Sequence, residues 1–138
     1  MHPREFHEKI DQERLIAALS ETNRKTAGRV YVYVSHRHIE DAMAAARARF
    51  EKLGLSKIHE DRASVLIYLA PHTHKFAIVG DTAIHERCGE DYWKKLAEEL
   101  SRDLKAEDLT TALLNAVWSL KGTLEEHFPA GGLEKVKA

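Results

Sequence analysis

The sequence predicts an α/β protein: a three-layer α/β/α sandwich in which a small mixed sheet is covered on both faces by helices. Three observations carry this. Arg29 to Ser35, RVYVYVS, alternates valine and tyrosine, so both faces of a strand are apolar enough to need cover. Val65 to Ala70 and Phe76 to Val79 are two further short apolar runs. Segments of helical periodicity stand before, between and after these runs.

In chain order, Pro3 suits the first turn of a helix, where its missing N–H is no loss. Phe6, Ile10, Leu15, Ile16 and Leu19 then recur at helical spacing to about Thr22, and Ala27-Gly28 closes the segment. After the valine-tyrosine strand and the connection His36-Arg37-His38 comes an alanine-rich helix, Glu40 to Leu53. Ile39, Met43, Ala46, Phe50 and Leu53 form its expected buried stripe, and Gly54 its C-terminal stop. Ser56 to Arg62 reads as a polar loop. Pro71 ends the second strand, because proline cannot donate to a ladder, and His72 to Lys75 forms a turn of hairpin length. Gly80 ends the third strand. A short helical turn, Ala83 to Arg87, stops at Gly89. Glu90 to Leu104 then turns Tyr92, Trp93, Leu96 and Leu100 inward. Glu107 to Phe128 does the same with Leu109, Leu113, Leu114, Val117, Leu120 and Leu124. Trp93, Trp118, Tyr92 and Phe128 lie among leucines and are expected in the core. Size and pattern suggest one domain over residues 1–129 and a tail over 130–138.

A crossover helix between the first two strands makes them parallel, with a right-handed connection, and the hairpin makes the third antiparallel. That topology gathers residues at two ends of the sheet. One end holds Ser35, His36, Arg37 and His38 with His72, Thr73 and His74. The other holds Thr26, Gly28 and Arg29, then Glu60, Asp61 and Arg62, then Gly80, Asp81 and Thr82.

Composition narrows the function classes. Among 138 residues, 43% are hydrophobic and 31% charged, with a net charge of -1. That balance offers no basic surface for nucleic acid. No apolar run is long enough to span a bilayer, and the first ten residues contain no apolar signal core, so a cytoplasmic protein without membrane insertion is expected. The single cysteine, Cys88, excludes an internal disulfide and a cysteine-rich zinc site.

Four pieces together resemble the TPM domain family, to which thylakoid-lumen and photosystem-repair proteins belong. They are Lys25-Thr26-Ala27-Gly28 before a valine-rich strand, Asp61-Arg62 leading into Val65-Leu66-Ile67-Tyr68, Phe76-Ala77-Ile78-Val79-Gly80-Asp81, and Leu124-Glu125-Glu126-His127-Phe128-Pro129. Tyr92-Trp93 falls where the small soluble bacterial branch of that family carries tryptophan. The resemblance implies a Rossmann-like α/β/α sandwich and, in some members, binding of calcium or other divalent ions. One plant member is described as an acid phosphatase, while other members lack that activity. Partnership with a membrane complex is a further implication. Position by position, Asp61 and Asp81 match acidic or polar positions of the family pattern. Arg29 stands where the family usually has an acidic residue, and Ala63 and Ala83 stand where glycine or asparagine is common.

Three chemistries follow. Asp61 and Asp81 with Glu60 could give a hard cation such as calcium or magnesium its oxygen ligands; alternatively Asp81 caps the following helix and Asp61 pairs with Arg29 or Arg62. His36/His38 and His72/His74 could converge on a transition metal, or could be solvated loop residues. A phosphomonoester hydrolase could use a metal at Asp61/Asp81 to activate water. Cys88 lacks the phosphate-cradling loop of a cysteine phosphatase, Gly80-Asp81-Thr82 lacks the second aspartate of an aspartyl phosphatase, and Arg37-His38 lacks the glycine turn of a histidine phosphatase. The resemblance thus implies a cation-binding or partner-binding module, with at most weak metal-dependent phosphatase activity.

Overall fold

The computed structural model describes residues 10–55 and 63–128. Their order is α1 (Gln12–Lys25), β1 (Arg29–Val34), α2 (Ala42–Lys52), β2 (Ser64–Ala70), a 3-10 turn (Pro71–Thr73), β3 (Lys75–Gly80), α3 (Thr82–Cys88), α4 (Glu90–Ala106) and α5 (Leu109–His127). The sheet order is β1-β2-β3. β1 and β2 run parallel, with Arg29 opposite Ser64 and Val34 opposite Leu69. β2 and β3 run antiparallel, with Val65 opposite Gly80 and Ala70 opposite Lys75.

Alternation along the strands divides the core in two. Val30, Val65, Ile67 and Leu69 face α1, α4 and α5, where Leu15, Leu96, Leu100, Leu113, Val117, Leu120 and Leu124 meet them. Leu66, Tyr68, Ala70 and Ala77 face α2 through Ala42, Ala46 and Phe50, with Tyr31 and Tyr33 alongside. β2 is buried along its whole length, as an unbroken apolar run in a central strand requires.

Aspartate opens most of the helices. Asp11, Asp41, Asp81 and Asp108 each sit in extended backbone and accept an N–H of the helix that follows, so α1, α2, α3 and α5 start where an acceptor becomes free. At Asp108 the acceptor bond from Thr111 N, 2.7 Å long, is the main reason its carboxyl is held below the usual range.

Several elements depart from expectation. α1 begins at its Asp11 cap and runs three residues past Thr22; Pro3 and Phe6 lie outside the described residues, as do the 56–62 loop and the 129–138 tail. α2 begins at Ala42, not Glu40. Its sheet-facing stripe is Ala42, Ala46 and Phe50, one residue per turn, so Met43 (41% exposed) and Leu53 (43% exposed) rotate outward. α4 continues through Ala106, because the Asp108 cap delays α5 to Leu109. Trp118 is 43% exposed, not buried. The α5 stripe runs through Leu113, Val117, Leu120 and Leu124, and a residue directly after Val117 turns about 100° away from it.

Tyr92 is buried against the Trp93 ring, with centroids 5.0 Å apart and planes at 82°. Its hydroxyl has no hydrogen bond of good geometry, and burial pushes its pKa up. Thr123 opposes that rise slightly, but its hydroxyl donates to Ser119 O at 3.2 Å. Removing an unsatisfied buried hydroxyl without changing shape is neutral or stabilising. Tyr92→Phe is therefore expected to raise unfolding free energy by about 1 kcal/mol in urea titration. A loss of that size instead would mean that the hydroxyl is bonded in the native state.

Candidate functional site

At one end of the sheet the described residues build a fixed frame around Asp81 and Arg29. Asp81 follows β3 directly. Its N–H donates to Ser64 O (2.8 Å), which ties it to the start of β2, and its Oδ1 accepts from Thr82 N at 2.7 Å. The residue is only 4% exposed. Asp81 thus caps α3, the arrangement weighed above against an ion ligand. Capping a helix does not by itself exclude ligating a cation, since a carboxylate offers several acceptor positions. Glu60 and Asp61, the other proposed ligands, lie outside the described residues.

Arg29 is spent on helix capping. The chain turns sharply after α1, and Ala27 N donates to Phe128 O at 2.7 Å rather than to Asn23 O, its partner in a continued helix. Arg29 Nη1 takes that place, donating to Asn23 O (2.6 Å), Gly28 O (3.0 Å) and Thr26 O (3.3 Å). In return, Asn23 Oδ1 accepts Val30 N at 2.9 Å. The positive side chain therefore rests against the negative end of α1.

Beside Asp81 lies a cluster absent from the sequence reading. The His85 and Trp93 rings stack at 5.9 Å, 7° from parallel. Trp93 Nε1 donates to His85 O at 3.2 Å, and His85 Nε2 lies 2.9 Å from Glu90 Oε1. The tryptophan fits because Gly80 has no side chain: a Cβ there would stand 2.8 Å from the indole ring. The pairing of Gly80 with a tryptophan thirteen positions on was the one available signal.

The opposite end of the sheet holds the histidines. The His36 and His72 rings approach edge to face at 6.4 Å. The turn then places His74 in a left-handed conformation, φ 55°. Among the described residues, no three histidine, cysteine or acidic side chains are grouped to hold a metal ion. The four-histidine convergence is therefore not formed: two imidazoles meet, and the 3-10 turn breaks the strand alternation on which the expectation rested.

Cys88 is half-buried at the end of α3. Burial and, next, Glu126 push its thiol pKa up, against the opposing Arg87. That shift favours the thiol over the thiolate, which is the nucleophilic form. Among the described residues no helix is long and apolar enough to cross a membrane.

Residues 8–123 match the family model of the TPM domain. No curated protein matches the chain. Among solved structures, the NMR structure of BA42 protein from the psychrophilic bacterium Bizionia argentinensis is similar. Its TM-score is 0.77 at 21% identity, covering 85% of this chain and 80% of that one. At that identity the likeness concerns the fold.

Proposed function

The chain belongs to the TPM domain family, and from that premise we propose that it is a divalent-cation-binding or partner-binding module, with phosphomonoester hydrolysis as at most a weak, metal-dependent activity. The observation that supports the cation reading is Asp81: a carboxylate 4% exposed, fixed between the end of β3 and the start of α3, with Thr82 N–H on Oδ1. Glu60 and Asp61, close before β2 in the sequence, are the further ligands proposed with it. Such a donor set is all oxygen and suits calcium or magnesium. Arg29 keeps its charge, but its guanidinium is directed at three carbonyls, those of Asn23, Thr26 and Gly28. A bound ion would supply a Lewis acid and a lowered water pKa. The partner reading rests on another face. Ile16, 59% exposed, lies on a groove of about 480 Å³ between α1 and the edge strand β1, with Leu15, Leu19, Val32 and Val34.

The test is calcium and magnesium titration of the chelator-stripped chain by calorimetry and thermal melting. Asparagine caps a helix as well as aspartate does, so Asp81→Asn removes the charge and keeps the cap. Wild-type protein is expected to gain about 2.7 kcal/mol at a hundredfold excess over Kd, and the variant to bind at least tenfold more weakly with an unchanged ion-free melting point. No heat and no shift in the wild type would defeat the cation reading. Equal binding by both would move the site away from Asp81.

A further inference from the structure

We propose that the cavity between the β2–β3 turn and the end of α4 is a binding site for a small organic carboxylate with a short apolar body. It stands at the opposite end of the sheet from Asp81 and calls for the opposite ligand charge. The cavity measures about 260 Å³. Its apolar part is Leu69, Phe76 and Leu104, and its polar part Ser101, His74 and Lys105. An apolar cavity of about 150 Å³ already holds benzene, so this one admits a ring or short chain with its carboxylate.

Charge decides the class of ligand. Among the described residues no carboxylate lines the cavity; its ionisable side chains are His74, Lys75 and Lys105. Lys75 Nζ donates to Glu40 O and is directed elsewhere. Lys105, exposed on the last turn of α4, makes no ion pair among the described residues. An apolar floor with an available cation and a hydroxyl fits an amphiphilic anion. The cavity opens beyond the carboxyl end of β2, between the tight turn into β3 and the last turns of α4.

The test is amide NMR titration of the full chain with benzoate and hexanoate at constant ionic strength, with benzyl alcohol and inorganic phosphate as controls. Saturable shifts are expected at Phe76, Ser101 and Leu104. Lys105→Ala is expected to weaken binding at least fivefold, and Lys105→Glu to abolish it, both with unchanged melting points because the side chain is exposed. Benzyl alcohol binding as well as benzoate would show an apolar hole without charge recognition. Phosphate producing the same shifts would show a charge effect without the apolar floor. Either result, the absence of saturable shifts, or unaltered binding in both Lys105 variants overturns the proposal.

Discussion

Leu124→Ala is expected to destabilise the fold by about 3 kcal/mol, seen as a fall of roughly 10 °C in the melting midpoint. Leu124 is fully buried in the larger core and packs where the chain turns from α1 into β1. Its methyl groups reach the space a side chain on Gly28 would need: a Cβ there would stand 2.6 Å from Leu124 Cδ2 and 3.0 Å from Ala63 O. Gly28→Ala alone is therefore expected to cost about 2 kcal/mol through overpacking. The two changes are not independent. In the double variant the new methyl group enters the void left by Leu124, so the combined loss should fall short of the sum by at least about 1 kcal/mol. Urea titration of the four proteins measures this. Strict additivity would mean that the turn shifts to admit the added methyl group without touching Leu124.

Arg29→Met is expected to cost about 2 kcal/mol, because a charge-assisted bond to a backbone carbonyl is worth more than a neutral one. The losses are unequal. Gly28 O retains a share of the Thr26 hydroxyl, 3.2 Å away, which also donates to Thr22 O at 2.9 Å. Asn23 O loses its donor, since Ala27 N has been drawn off to Phe128 O. Methionine keeps the length and packing of the stem, so the measured loss reports on the guanidinium. Unfolding free energy from urea titration is the measurement, and a change under about 0.5 kcal/mol would mean that water replaces Arg29 at no cost.

The sequence made the sheet legible because the information there is local. Valine and tyrosine alternate in β1, and the two cores divide along that alternation. β2 is apolar at nearly every position and lies at the centre. Helix faces were less legible. Met43, Leu53 and Trp118 each sit off a true stripe, and an apolar residue there is chemically indistinguishable from a core residue until the neighbouring element is placed. Asp81 as a cap could be read, since an aspartate before a helical pattern has a local reason to be there. Arg29 could not. Its partners, the carbonyls of Asn23, Thr26 and Gly28, converge only because Phe128 takes the N–H of Ala27, and that contact spans nearly the whole chain. The His85–Trp93 stack was hidden similarly, across the break at Gly89.

The central position of β2 also bears on the order of assembly. β3 follows it after one tight turn, so these strands can meet early, with little chain to organise. β1 must wait for the whole stretch from Ser35 to Ala63, including α2, to close over the sheet. Until it does, half of the ladder of β2 is unpaired, and a strand buried along its length is the one most exposed to pairing with a stranger. The parallel pair thus closes the longest span of chain in the sheet, and on topology alone it is the pairing expected to form later.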